Sequence, residues 1–212
     1  MKQLFRGNAL VKRLMTITGV NAIVAMSLLA AIGDIHRFSS PQKLVSYFGL
    51  NPRVRQSGDK PAYHGRITKQ GRAHARSMLV EAAWVISGAP GPLRAFFIRI
   101  RDKRGKHVAA VATARKLAVI VWHMMSKDED FIWDRPALLQ WKLRKLELKA
   151  GHPSRRGGKE KGSAADYSKK CVRDAEREMI GNAEEEYRRF VAAWKTRPPK
   201  GRPGAANEVR RS

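Results

Sequence analysis

The first fifty residues contain two helix-forming stretches separated by a glycine turn. Residues 2–15 place apolar side chains at helical spacing, and residues 22–32 form a nearly continuous apolar run that ends at Gly33. Gly19 lies in the turn between them, so the pattern predicts a helix-hairpin-helix-like unit. A third helix should follow, with Ser40 as its N-cap and Pro41 as its first residue, and should run to about residue 48.

Helical periodicity returns after residue 70 and continues to residue 150. It predicts helices over residues 71–87, 93–104, 107–126 and 136–150, with a break at residues 88–92. Residues 107–126 are apolar on most faces, which is typical of the central buried helix of a bundle. The predicted fold class is therefore mainly α, with a compact helical domain over residues 1–150.

Two parts of the chain lack this periodicity. Residues 51–70 are rich in turn formers and basic side chains, which predicts either a long basic loop or a small hairpin. Residues 151–171 have the Gly/Ser-rich, basic composition of a flexible linker. A charged helix should occupy residues 172–195, and the Pro/Gly/Arg-rich residues 196–212 predict a disordered tail. The C-terminal extension is thus expected to be basic and partly disordered.

The charge of the chain points to a polyanionic partner. Lys and Arg number 43 against 18 Asp and Glu, which gives a formal net charge of +25. Residues 1–150 carry +18 of that charge and residues 151–212 carry +7, so the predicted folded part binds the polyanion. The longest apolar stretch, residues 22–32, is too short to span a bilayer, which favours nucleic acid over a membrane. A single cysteine predicts a reducing, intracellular setting and no zinc site.

Ser57 is the candidate nucleophile of the basic segment. Its hydroxyl lies in a Gln-Ser-Gly-Asp turn among seven cationic side chains. These are Arg53, Arg55, Lys60, Arg66, Lys69, Arg72 and Arg76. Cations can stabilise the charge that develops when a hydroxyl attacks a phosphodiester, although the segment offers no clear proton acceptor. The alternative is an ordinary turn whose basic neighbours only contact phosphates, as His64 and His74 would.

The turn around Gly19 and Asn21 is a second candidate phosphate contact. In a helix-hairpin-helix, backbone N–H groups of the turn bind phosphate without reading bases. The usual motif has a second glycine where Asn21 stands, so a plain packing pair of helices is an equal alternative. The acidic residues form no recognisable cluster for two-metal catalysis, and no metal ligand is predicted.

Five ordered segments give the chain a family resemblance over about residues 14–127. They are the G-V turn, A-x-I-G-D-I-x-R-F, Y-x-G-L-x-P-R, the S-G turn, and I-T-K-x-G-x-x-x-x-R. In this order they resemble the C-terminal domain of transposases of the insertion sequence 110 family, also called 116/902. Carried over by motif, the family's proposed nucleophile corresponds to Ser57, which would form a phosphoserine link to DNA.

The resemblance implies further partners and a missing domain. Complete family members have an N-terminal RuvC-like nuclease domain with a DEDD carboxylate set, which this sequence lacks. We therefore expect a truncated form or half of a split enzyme, with no cofactor in this chain and Mg²⁺ only in the nuclease domain. The implied partners are DNA, a structured non-coding guide RNA, and either further copies on DNA or a separate nuclease-domain chain. The expected location is the bacterial cytoplasm, at the nucleoid.

Other function classes stay open at this point. The chain could be a non-catalytic nucleic-acid-binding remnant, in which Ser57 is only a turn residue. A basic protein of a membrane surface or of the ribosome would require binding to anionic lipid or ribosomal RNA to exceed binding to DNA. Steep salt dependence of binding is expected for either nucleic-acid hypothesis, so it does not distinguish a catalytic protein from one that only binds nucleic acid.

Overall fold

A computed structural model describes residues 8–57, 63–151 and 170–194. In the N-terminal part, α1 spans Ala9–Met15, α2 spans Ala22–Ile32, a 3-10 turn spans Ile35–Arg37, and α3 spans Pro41–Tyr47. The strands β1 (Pro52–Arg55) and β2 (Tyr63–Ile67) follow, and then α4 (Ala73–Gly88), α5 (Pro92–Arg104), α6 (Lys106–Lys127), α7 (Pro136–Lys149) and α8 (Lys170–Ala193). The mainly α fold class is confirmed.

The helix ends agree with the local signals that predicted them. Asn21 accepts a hydrogen bond from the Val24 N–H and so caps α2, and Gly33 ends that helix with φ +62°. Pro41 begins α3 as predicted, whereas Ser40 occupies the N-cap position without a capping hydrogen bond from its side chain. Within residues 51–70, the described strands β1 and β2 pair antiparallel, which favours the small hairpin over the long loop; we call this pair the β1–β2 hairpin.

Helix α6 is the central element of the core, as its apolar sequence predicted. It packs against α3, α4 and α5, and nine of its residues are buried, among them Leu117, Ala118 and Val121. The helix is long and apolar enough to cross a membrane by length and composition. Because one face of the helix is buried against the other helices of the core, its apolar composition is that of a core helix.

The C-terminal helix α8 packs on the body of the molecule. Glu184 is almost fully buried and accepts hydrogen bonds from the Gly91 N–H (2.9 Å) and from Arg94 (3.3 Å) at the start of α5. Glu176 accepts from the Ala137 N–H (2.6 Å) at the start of α7. Both helices begin with proline and lack a capping side chain of their own, and each carboxylate of α8 accepts from one backbone N–H at these helix starts.

The sequence prediction placed the charged helix at residues 172–195 after a compact domain at residues 1–150 and did not include these contacts. The predicted boundaries depended on composition alone, which contains no information on contacts between α8 and α5. Most of the linker and the tail, at residues 152–169 and 195–212, lie outside the described residues, as does Lys60.

Candidate nucleic-acid interface

The β1–β2 hairpin is attached to the body through the end of α3. Pro52 pairs with Ile67 and Arg55 with Tyr63, with an irregularity between Pro52 and Val54. Beyond β2, the backbone N–H of Lys69 donates to Gly49 O at 3.1 Å, and that of Arg72 donates to Tyr47 O at 3.0 Å. The hairpin therefore has a fixed base between the end of α3 and the start of α4.

Two glycines allow the chain segments at this base to approach each other. Gly49 has φ +68° and Gly71 has φ +127°, values that L-residues with side chains rarely adopt. A Cβ at Gly49 would overlap the Gln70 carbonyl oxygen, and one at Gly71 would overlap the Tyr47 carbonyl oxygen. The glycines of the Y-x-G-L and I-T-K-x-G segments are thus both required for the close approach of the two chain segments.

Three of the predicted phosphate-binding arginines hold this base. Arg76 is half-buried and donates to the carbonyl oxygens of Phe48 (3.0 Å) and Lys69 (3.2 Å). Arg72 Nε donates to the Tyr47 hydroxyl at 2.6 Å. Arg53 donates weakly to the Thr68 carbonyl oxygen at 3.4 Å. These side chains have structural partners within the chain, although the exposed Arg53 and Arg72 keep donors that can face solvent.

The prediction missed Tyr47 and Arg37, which complete the base. Tyr47 donates from its hydroxyl to Ala31 O at 3.0 Å, and the Arg37 guanidinium lies 4.7 Å from the centre of the Tyr47 ring. Burial raises the pKa of Tyr47, but hydrogen bonds and charges from Arg72 and Arg37 outweigh it and leave the pKa below its ordinary value of 10.0. The only sequence signal was the aromatic residue between basic segments.

The remaining predicted residues of the hairpin face outward. Arg55, Arg66, Lys69 and Ser57 are all exposed, and Ser57 lies two residues after β1. The hairpin also exposes Val54 and Tyr63, the latter to 69%. The structure thus brings the Ser57 hydroxyl, three exposed cations and the exposed Tyr63 ring together on the β1–β2 hairpin and the residues next to it.

The structure describes the side chain of His74 but only the backbone of His64. The backbone of His64 lies in β2 opposite Val54, whereas its side chain lies outside the described part. His74 Nε2 lies 3.2 Å from the Ser27 hydroxyl, on the side of α4 that faces α2. The ring of His74 is therefore directed towards α2.

The turn at residues 16–21 is largely buried, unlike the hairpin, and only its last residue, Asn21, is exposed. Gly19 is buried on α4, where a Cβ would overlap Ala82 O and lie 2.9 Å from Ile86 Cγ1. The buried Lys142 ammonium donates to the carbonyl oxygens of Met15, Ile17 and Val20 at 2.7–2.9 Å. Gly19 thus allows close packing on α4 and Asn21 caps α2. Both roles are compatible with the alternative of a plain packing pair of helices.

The acidic residues show no metal-binding arrangement in the part of the chain that the structure describes. No three His, Cys, Asp or Glu side chains there lie close enough to hold an ion together. Asp128 and Asp130 are exposed and pair with Arg13. The described residues therefore offer no ligand set for the Mg²⁺ that the resemblance implies for a nuclease domain.

Comparison with known proteins shows which family the chain resembles. Residues 11–97 match the model of the Transposase IS116/IS110/IS902 family. The chain is 30% identical over 135 residues to the transposase for insertion sequence element IS1111A of Coxiella burnetii. The aligned residues cover 62% of this chain and 37% of that protein. It is 31% identical over 124 residues to the transposase for element IS1328 of Yersinia enterocolitica, covering 57% and 37%.

A third relative has a different name. The pilin gene-inverting protein of Moraxella bovis is 32% identical over 120 residues, which cover 56% of this chain and 37% of the relative. These comparisons confirm the predicted family resemblance. The chain spans little more than a third of the length of each of these relatives.

Proposed function

We propose that this chain is the DNA-binding, C-terminal part of an insertion-sequence transposase and acts in DNA transposition or recombination. The observation that carries the proposal is the outward-facing basic hairpin, which bears Ser57 beside Arg55 within the segment that matches the family. The relatives named as transposases and as a pilin gene-inverting protein support the same class of reaction.

The shape of the hairpin suits the groove of a DNA duplex. The major groove is about 12 Å wide and admits a two-stranded β-ribbon. In that position the exposed Arg55 and Arg66 would reach phosphates of the flanking backbones, and Tyr63 would contact sugars or base edges. Because Arg72 and Arg76 fix the base of the hairpin, the ribbon would present these groups with little loss of backbone freedom.

Ser57 is the proposed nucleophile. Its hydroxyl oxygen attacks a DNA phosphorus, the bond from phosphorus to one sugar oxygen breaks, and a phosphoserine link forms. The hydroxyl proton leaves to solvent and the released sugar oxygen takes up a proton. Phosphoester bonds are conserved in this exchange, and no further reactant is required. Nearby guanidinium groups would stabilise the charge that develops on the phosphate.

The proposal requires groups beyond the described residues. Mg²⁺ would be held by the DEDD carboxylates of a RuvC-like domain, supplied by a longer protein or by a second chain. A structured guide RNA and further copies of the chain are the other proposed partners. The proposed location is the cytoplasm, on the nucleoid. The described helices α1 and α2 would serve as the support for the hairpin rather than as a second phosphate site.

A covalent adduct assay tests the nucleophile. The chain is incubated with element-end DNA, cognate RNA, Mg²⁺ and a separately supplied DEDD domain, and the products are separated on a denaturing gel. We expect a protein–DNA adduct that Ser57→Ala abolishes, while DNA affinity changes by less than about twofold. The matched control is Ser77→Ala, which removes another exposed hydroxyl at the nearby start of α4 and should leave the adduct intact.

The same assay separates the two function classes that the sequence left open. If no adduct forms beside an active full-length relative, and DNA still binds, the chain is a non-catalytic nucleic-acid-binding protein. If DNA does not bind even at low salt, the proposed function is wrong in both its parts.

A further inference from the structure

A second basic surface lies at the junction of α5 and α6. The two helices meet at Gly105, which has φ +84°, and all residues from 101 to 107 are exposed. We call these residues the helical tip. It contains Arg101, Lys103, Arg104, Lys106 and His107 against one acidic residue, Asp102.

Most cations of the helical tip have no carboxylate partner among the described residues. Asp102 pairs with its neighbour Arg101, and no other ion pair is found at the tip among the described residues. On other surfaces, Arg13 pairs with Asp128 and Arg94 pairs with Glu184. Lys103, Arg104 and Lys106 thus form an exposed cluster of like charge. The helix dipole favours Lys103 and Arg104 in the last turn of α5 but disfavours Lys106 at the start of α6.

Cation–ring contacts occur farther along the same two helices. The Arg99 guanidinium lies 5.3 Å from the centre of the Phe96 ring and 6.0 Å from that of Tyr187 in α8. Lys116 Nζ lies 5.5 Å from the Phe96 ring centre on the opposite helix. These contacts hold the cationic groups in position, which lowers the side-chain entropy that binding an anion would cost.

The helical tip and the β1–β2 hairpin lie at opposite ends of α4. Arg72, just before α4, binds Tyr47 at the base of the hairpin. Trp84, near the other end of α4, lies 5.9 Å from His107 of the helical tip, measured between ring centres. Twelve residues of helix separate Arg72 from Trp84, which corresponds to about 18 Å. One phosphate cannot contact both surfaces.

We propose that the helical tip is a second nucleic-acid-binding surface, which contacts the phosphate backbone of a duplex segment separate from the one at the hairpin. Exposed Lys and Arg side chains that lack carboxylate partners bind phosphate without reading sequence. The surface extends the proposed DNA binding and does not depend on Ser57 as a nucleophile.

Salt-dependent binding of the full chain to short duplexes tests this inference. Fluorescence anisotropy with a DNA duplex, and in a separate arm with an RNA duplex, gives the slope of log affinity against log salt. The test variant is Lys103→Gln/Arg104→Gln/Lys106→Gln. If each of the three side chains neutralises one phosphate, the slope for DNA should fall in magnitude by about 2.7, or 0.9 for each phosphate.

A control of equal charge separates specific contact from net charge. Lys12→Gln/Lys127→Gln/Lys149→Gln also removes three exposed cations, away from both surfaces, and should change the slope by less than about 1. A larger decrease in slope for the tip variant than for the control, with either duplex, supports the inference, and the arm in which it occurs identifies DNA or RNA as the partner.

The contrary results are distinct from a failure of the proposed function. Equal slopes for the tip variant and the control in both arms would overturn the second surface and leave DNA binding at the hairpin intact. Absence of any binding by the unmodified chain would overturn both proposals. An unchanged thermal midpoint for the tip variant, which alters exposed side chains only, shows that the comparison is between folded proteins.

Discussion

The β1–β2 hairpin and the turn at residues 16–21 both carry sequence features of phosphate binding, but they differ in exposure and in their hydrogen-bond partners. The hairpin presents Arg55 and Arg66 to solvent, whereas the turn is packed on α4 and its carbonyl oxygens bind Lys142. A basic or glycine-containing turn can therefore either bind an external anion or form hydrogen bonds and packing contacts within the core. The partners available in the folded chain decide which of these occurs.

Lys142→Ala should have the largest effect on stability. It removes the buried donor of the Met15, Ile17 and Val20 carbonyl oxygens, and leaving buried acceptors unpaired costs about 1–3 kcal/mol each. We expect the free energy of unfolding, measured with urea, to fall by about 3 kcal/mol. The exposed Lys149→Ala is the control and should change it by less than about 0.5 kcal/mol.

The same buried amine predicts how stability depends on pH. Burial lowers the pKa of Lys142 from 10.5 to about 7, and the nearby Arg135 charge adds to this. Between pH 7 and 10.5 the unfolded chain therefore holds a proton that the folded chain lacks, so the free energy of unfolding should rise with pH in that range. A rise of the same size in Lys142→Ala would show that other groups cause it.

Gly19→Ala should have the next largest effect. Its Cβ would overlap the Ala82 carbonyl oxygen in helix α4, and such overpacking typically costs 1–3 kcal/mol, so we expect a decrease of about 2 kcal/mol in the free energy of unfolding. Gly65→Ala, in the hairpin, is the matched control because its Cβ would lie 3.7 Å from Arg53 O, an ordinary contact. Equal changes in thermal midpoint for the two variants would contradict the inward packing of the turn.

Arg55→Gln/Arg66→Gln should have the smallest effect on stability, at most about 0.5 kcal/mol, because both side chains are exposed. It should instead reduce the slope of log DNA affinity against log salt by about 1.8, or 0.9 for each phosphate that is no longer neutralised. Arg76→Gln is the contrasting variant, since it removes the donor of Phe48 O and Lys69 O and should destabilise the chain. An unchanged salt slope in the double variant would remove the hairpin from the interface.

Much of the fold followed from local signals along the chain. Helix α2 begins beside Asn21 and ends at Gly33 as predicted, because capping and periodicity act within about one helical turn. The basic segment could not be assigned between a loop and a hairpin, since its short strands become defined only when Tyr47 and Gly49 fix their base. The contact of Glu184 with Gly91 could not be predicted from local sequence patterns either, because 93 residues separate the two.

The candidate site was predicted as a set of residues, and the structure divided that set. All seven cations had the same character in sequence, yet Arg76 has carbonyl partners while Arg55 and Arg66 face solvent. Arg101, Lys103 and Arg104 were predicted only as part of the helix over residues 93–104, and the helical tip was not recognised as a surface. Their significance appears only when α5 and α6 meet at Gly105.

The sequence by itself determined the helix positions, the excess of positive charge and the ordered motifs of the family, because each depends on residues close together in the chain. Only the tertiary structure decided which cations face outward, which glycine is buried on Ala82 and which lysine binds three carbonyl groups. Those properties depend on partners brought together from distant positions, such as Lys142 and Ile17, which are 125 residues apart. Burial and hydrogen-bond satisfaction are properties of the packed chain, and local propensity does not encode them.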